Sequence, residues 1–415
     1  MIRRGRARAW HQSRAPGGGR PHLARVVLRP AYPAHVISVL AAVVGGALVL
    51  LTGRSVTRTL VVPRRTTDHL SRGVGLGVDA VYRLATRWQT DFLARDRRLA
   101  SQAATTLLAQ LTAWLVSFYV GYGLLLWPLA PHGLGQAFSQ AGSSLFTLGY
   151  AGPTNPPLTV VDYLAAATGL VVVALQIGYL PSLYGAFNRR ETEVTMLTSR
   201  AGVPAWGPEI LARTRFGFTD EDEGAVMDAF YLDWERWAAD LAESHSNYPV
   251  LTRFRSPEPL SSWLVGLVAV MDSAALWLAL SPQRSPQVQA RLCLRMGFTA
   301  LRSIADAVGL DVDRDPDPDT PLRLTQQEWE AGIARMSSAG FHMERSPEQA
   351  YPDFRGWRVN YEAVAYALAL RTEAVPAPWT GPRRLDNLSM PPIRPVNRTP
   401  TPYGVGGPDG PSEAP

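Results

Sequence analysis

The sequence predicts an all-α integral membrane protein with a helical C-terminal domain, and three observations lead there. From Leu99 to Val161 no Asp, Glu or Arg occurs, and after the lone Asp162 the chain stays uncharged until Arg189. Residues 1–100 hold 18 Arg against 4 acidic residues, whereas residues 188–375 hold 19 Arg against 27. That split argues against a nucleic-acid-binding surface and for an anionic lipid bilayer beside the basic half. Residues 207–375 repeat Trp, Tyr, Leu and Ala at helical spacing between Gly and Pro breaks, which predicts helices. The absence of lysine among so many Arg, Ala, Gly and Pro reads as codon bias and carries no function. The single Cys293 permits no intrachain disulfide and reads as a small core residue.

In chain order, residues 1–32 form a basic extension, 33–53 an N-terminal transmembrane helix around the apolar run Val36–Thr52, and 54–100 a basic cytoplasmic linker. Residues 101–188 follow as a unit of an outer helix 103–130, a loop 131–157 and an inner helix 158–187. At about 1.5 Å per residue the outer helix exceeds a hydrocarbon core of about 30 Å, so it should tilt. Gly169, Gly178 and Pro181 loosen or bend the inner helix where neighbours satisfy the freed backbone groups. Trp127 and Tyr184 fit as interfacial anchors. The loop is too polar to cross and too apolar for an exterior loop. A re-entrant segment fits it, with a short helix over Leu134–Phe146 before Gly149, Gly152 and Pro153 force an irregular backbone. At membrane depth such backbone is tolerated only where it is buried in protein or lines a water-filled path.

The basic flanks put 53–100 and Arg189-Arg190 on one side, the cytoplasm, and the loop outside. A spanning first helix then leaves Met1–Arg29, with eight Arg and no acid, outside. Translocation against the rule, an interfacial helix, an added start and a cleaved signal peptide compete as resolutions. A true span behind an extension of doubtful translation is preferred.

With two helices around a re-entrant Thr147-Leu148-Gly149-Tyr150, the chain resembles the pore unit of potassium channels, whose filter reads TVGYG. Further stretches resemble a bacterial group of potassium channel family proteins. Leu60-Val61-Val62-Pro63-Arg64-Arg65 looks like its V-L-P-R-R element, and Ile177-Gly178-Tyr179-Leu180-Pro181-Ser182-Leu183-Tyr184 like its I-G-Y-L-P-x-L-Y. Phe187-Asn188-Arg189-Arg190-Glu191 looks like F-x-R-R-E, Trp234-Glu235-Arg236-Trp237 like W-E-R-W, and Glu243 through Leu251 like E-S-H-x-x-Y-P-V-L. The resemblance covers roughly residues 36 to 280 and implies a potassium-channel-like fold, with a conduction path on a fourfold axis. Carbonyl oxygens of Thr147, Leu148, Gly149 and Tyr150, with the Thr147 hydroxyl, would replace the hydration shell of a potassium ion. One chain supplies one such strand, so a homotetramer closes the pore. No cofactor is implied beyond potassium ions in the filter. Ala151 stands where the pattern has a second glycine, and Gly152-Pro153-Thr154 replaces the acidic residue that follows. Ala151 is therefore expected at positive φ, at a cost. The rival reading is a pore-like membrane anchor or sensor that does not conduct.

Several residues keep two readings. Gly169 is a candidate gating hinge, as is Gly178, or Gly169 merely permits close helix packing. Asp162 concentrates cations at an outer mouth or caps the inner helix. Leu260–Leu280 is long enough to span, yet Asp272 inside it favours a buried core helix with an Arg partner or backbone donors. His245 has no second His at ligand spacing and reads as a packing histidine. The five alternate carboxylates of 311–319 fail the calcium-loop pattern at Pro316 and Leu322 and read as a solvated acidic loop. Thr219–Asp222 reads as a helix N-terminus. Residues 189–375 form the α-helical cytoplasmic domain, and 376–415, with 11 prolines, a disordered tail. No nucleophile-base pair, phosphate loop or metal quartet appears, so enzyme activity has no support.

Overall fold

The computed structural model describes residues 32–62, 68–152, 156–213, 223–383 and 389–393. Residues 1–31, the Pro63-Arg64-Arg65 part of the first resemblance element, Pro153 and Thr154 of the loop, Thr219–Asp222, and 384–388 and 394–415 of the tail lie outside the described residues. Among the described residues the chain is all-helical, and four helices are long and apolar enough to cross a membrane.

Three of those four form one apolar bundle. Helix α1 runs Tyr32–Leu60, α4 Gln102–Leu126 with a 3-10 turn Trp127–Leu129, α5 Leu134–Leu145, and α6 Pro156–Ala201. Glycine sets how closely they approach. A methyl at Gly45 of α1 would lie 2.5 Å from the Gly121 carbonyl oxygen of α4, and one at Gly123 would lie 2.8 Å from the Phe138 ring of α5. Few hydrogen bonds cross the bundle, and those that do are buried or half-buried. Trp114 Nε1 of α4 donates to Ser55 Oγ of α1 at 3.1 Å, and the Tyr122 hydroxyl meets Thr168 Oγ1 of α6 at 2.7 Å. Outward, Val43, Leu50, Leu51, Leu108, Leu170 and Ile177 are each more than half exposed, an apolar surface suited to lipid or further chains rather than water.

Three boundaries differ from the sequence reading. The first helix does not end at 53, because nothing from Gly53 to Leu60 breaks a helix and Arg54 and Arg58 are good helix formers. The linker 54–100 is itself folded, as the end of α1 followed by α2 (His69–Thr86) and α3 (Phe92–Leu99). Both new helices are capped by side chains, Asp68 accepting from Leu70 N and Asp91 from Ala94 N. The inner helix does not stop at 187. It carries Pro181 within it and continues as α6 to Ala201, where Gly202 at φ 73° ends it.

The far end of α6 enters a second helical unit of α7 (Gly207–Arg213), α8 (Glu223–Asn247), α9 (Trp263–Leu280), α10 (Gln287–Val308), α11 (Gln326–Ser338) and α12 (Pro347–Thr372). Helix α9 is the fourth apolar helix, and every residue of it is buried by protein. Its Asp272 pairs with Arg358 of α12 and accepts from the Tyr361 hydroxyl at 2.6 Å, so the charge is matched inside the core. The proline-rich tail is shorter than the sequence suggested. Residues 374–383 are folded, since Trp379 is 1% exposed among Trp206, Trp329 and Phe354, and Arg383 donates to the carbonyls of Ala374 and Val375 at 2.7 Å. Composition pointed to disorder, but aromatic burial and one arginine order this stretch.

His245 of α8 is fully buried. Arg190 Nη1 donates to its Nε2 at 3.1 Å, which leaves the proton on Nδ1, 3.1 Å from Ser244 Oγ. Burial, then the Arg190 charge, hold its pKa well below 6.5. The folded state therefore binds no proton here while the unfolded chain does below 6.5, so stability is present above that value and is lost as pH falls. Thermal unfolding should show stability falling between about pH 7 and about pH 5, with His245 contributing at most about 1.4 kcal/mol per unit. His245→Gln, which keeps an acceptor for Arg190, should flatten the curve; parallel curves would contradict the neutral assignment.

Candidate functional site

The loop that carries the filter resemblance begins where α5 runs out of partners for its last carbonyls. Phe146 N donates to Gly142 O at 3.1 Å, Thr147 N to Ser144 O at 3.0 Å and Leu148 N to Ser143 O at 2.8 Å, so the chain folds back to cap its own helix. This turn holds Thr147 at φ 55° and Gly149 at φ 72°. Glycine adopts that conformation freely. For β-branched Thr147 it costs about 1–2 kcal/mol, and such strain concentrates at functional sites.

Ala151 is not among the residues at positive φ, which corrects the expectation of strain there. Ser143 explains the difference: its hydroxyl accepts from Ala151 N at 3.0 Å and donates to Ala151 O at 3.1 Å, holding the peptides on both sides of Ala151 against α5. Tyr150 is 64% exposed and its hydroxyl donates to Ser139 O at 3.0 Å, which lays the ring along α5. Thr147, Leu148, Gly149 and Tyr150 are all exposed, and their four carbonyl oxygens accept no hydrogen bond from the described residues.

Asp162 does not cap the inner helix, since it is the seventh residue of α6. It is 6% exposed, at the start of α6, and accepts from Gln140 Nε2 at 2.6 Å and Ser144 Oγ at 2.9 Å. One carboxylate thus fixes α5 against α6. Just below, a methyl on Gly169 would lie 2.0 Å from the Leu145 carbonyl oxygen, so this glycine is where the end of α5 touches α6. Gly178 is exposed with open space around it. Gln140 and Ser144 are four residues apart, a spacing that shares one helix face and offered a signal for a buried acceptor opposite. Ser143 gave none.

A second group of residues ties the apolar bundle to the C-terminal unit. Arg190 of α6 is 1% exposed, so it does not act as a membrane-surface charge as the sequence reading assumed. Its guanidinium donates to Glu191 at 2.7 Å, Leu251 O at 3.0 Å and Phe254 O at 2.9 Å besides His245, while its carbonyl accepts from Trp237 Nε1 at 3.3 Å. The stretches F-x-R-R-E, W-E-R-W and E-S-H-x-x-Y-P-V-L thereby meet at one residue, the first and last through the Arg190 side chain and W-E-R-W through its carbonyl. Helices α2 and α3 dock separately. Asp79 takes both Arg253, at 2.8 Å, and Arg371, at 2.9 Å, while Arg95 pairs with Glu373 and Asp96 with Arg255. Burial works to raise the Asp79 pKa, but the hydrogen bond and charge of Arg253, with Arg371 and Gln102, outweigh it and hold the carboxyl below its ordinary range.

Elsewhere, the carboxylates of 311–319 are mostly exposed; Asp319 pairs with Arg355, and Asp313 and Asp317 accept from the backbone two residues on. Among the described residues no group of three His, Cys, Asp or Glu is placed to hold a metal ion. No family model matches the chain, and no curated protein or solved structure matches it either.

Two substitutions test this geometry. Gly169→Ala should displace α5 and lower the melting midpoint by several degrees, because the new atom meets a backbone carbonyl rather than a flexible side chain. Ser143→Ala should leave the midpoint nearly unchanged while raising amide hydrogen exchange at Ala151. Unchanged exchange would mean the Ser143 bridge does not hold the loop.

Proposed function

We propose that the chain is one subunit of a passive channel for potassium, or for monovalent cations more broadly, embedded in the cell membrane by several spans. The observation that carries this reading is the exposed loop of Thr147–Tyr150, with its backbone amides turned to α5 and its carbonyls uncommitted among the described residues. Rows of neutral carbonyl dipoles suit a dehydrated monovalent cation, being strong enough to admit it and weak enough to release it. The C-terminal end of α5 adds its partial negative charge at the same place. Strain stored at Thr147 fits a backbone held for a purpose other than stability.

A single copy offers one such loop, so the pore would be a homotetramer, with the C-terminal unit on the cytoplasmic side and the loop facing outward. Gly178, exposed on the continuous helix α6, is then the better candidate for a hinge, and Gly169 serves packing. A second reading, a pore-like anchor that does not conduct, is favoured by the Ser143–Ala151 bridge, which folds the loop onto its own helix.

The test is cation flux into liposomes carrying the purified full chain, under potassium and then sodium gradients. Wild type should pass potassium. Thr147→Ala and Gly149→Ala should each lower flux about tenfold, the first by removing a hydroxyl ligand and the second by disfavouring positive φ. Ala151→Gly should change it little, since Ala151 is unstrained. Native mass measurement in mild detergent should show four chains. Absence of wild-type flux with the tetramer intact would favour the anchor.

A further inference from the structure

Where the apolar bundle meets the C-terminal unit, α1, α2, α4, α6, the 3-10 turn Pro249–Arg253, the end of α10 and Arg371 of α12 line a partly open cavity of about 260 Å³. A cavity of about 150 Å³ suffices for a benzene ring, so this one admits a ring with substituents but not a whole diacyl lipid. Its walls are largely apolar, with Leu107, Trp114, Tyr179 and Val250 among them. Two features set it apart from a packing defect. Gln110 and Gln176 line it, each is 7% exposed, and each carries an atom with no hydrogen-bond partner: Nε2 of Gln110, a donor, and Oε1 of Gln176, an acceptor. Buried amides are ordinarily satisfied, so a ligand that accepts from Gln110 Nε2 and donates to Gln176 Oε1 would complete both.

The second feature is charge. Arg72, Arg253 and Arg371 all line the cavity, while the carboxylate that Arg253 and Arg371 share is the single Asp79, leaving an excess of positive charge. The two features are separated along α4. Asp79 binds Gln102 at the start of that helix, and Gln110 stands eight residues further on, about 12 Å away. Arg72, seven residues before Asp79 on α2, lies about 10 Å from it toward Gln110, so Arg253 and Arg371 mark one end of the cavity and Gln110 and Gln176, with Arg72 nearby, the other.

We propose that this cavity is a binding site for a small amphipathic carboxylic acid, its carboxylate at Arg253 and Arg371 and a hydroxyl at Gln110 and Gln176. Such a ligand touches α6 and the C-terminal unit at once and stabilises their docking. The site does not depend on whether the loop at Thr147 conducts.

The experiment titrates p-hydroxyphenylpropionate by calorimetry into the full chain held in neutral phosphatidylcholine nanodiscs, beside phenylpropionate, which lacks the hydroxyl, and p-ethylphenol, which lacks the carboxylate. One hydroxy acid should bind per chain, saturably, and each analogue should bind about tenfold more weakly. Gln176→Leu should abolish the preference over phenylpropionate, and Arg371→Gln the preference over p-ethylphenol. If either variant fails to fold, the three probes on wild type still decide. Equal affinities for all three, non-saturable uptake, or no binding because water or an acyl chain fills the space would each overturn the proposal.

Discussion

The arrangement depends most on one buried charge. A guanidinium taken out of water is tolerated only when its donors are met, and Arg190 meets them with a carboxylate, an imidazole nitrogen and two backbone carbonyls. Those acceptors come from the residue beside it, from the end of α8 and from the loop after it. Because Arg190 sits on the same unbroken helix as Asp162 and Gly169, fixing it fixes the register of α6 between both units. Removing the guanidinium would leave the carbonyls of Leu251 and Phe254 and the His245 nitrogen without their donor, a loss spread over three segments at once.

Docking through α2 and α3 adds a second, independent connection. Their ion pairs are largely buried, so the attraction within each pair mainly offsets the cost of taking its charges out of water, and losing one partner would strand the other. Asp79 is better placed than that, being shared by two arginines and 8% exposed. The C-terminal unit is consequently held by α6 from one side and by the segment between α1 and α4 from the other. A rigid rotation of that unit has to move α4 or break the Asp79 cluster, which links its position to both helices that flank α5.

Sequence periodicity and charge were enough to find the apolar helices and α5, because long uncharged runs and a polar loop between them leave few alternatives. The ends of helices were less legible. Arginine on α1 looked like a terminus, yet charge does not stop a helix; Gly202 does, and its effect is local. Arg189 and Arg190 looked alike and behave oppositely. Arg189 is solvent-exposed and pairs with Asp240, whereas Arg190 is enclosed, a distinction set by which face of α6 meets α8 and invisible without the fold. Trp379 was hidden by its prolines for the same reason: burial depends on partners far along the chain.

The loop at Thr147 shows the same limit at the site itself. Alanine in place of glycine suggested strain at 151, on the assumption that this chain bends its loop where the resembling pattern does. The backbone instead places its left-handed residues at 147 and 149 and uses the Ser143 hydroxyl to hold Ala151 in an ordinary conformation. A side-chain hydroxyl that both accepts from and donates to one residue's backbone substitutes for the conformational freedom a glycine would provide. That substitution has a structural consequence for assembly. A loop tied to its own helix can line a shared axis only if its carbonyls, rather than its amides, are the groups left over, and among Thr147–Tyr150 the exposed carbonyls are what the cap on α5 leaves uncommitted.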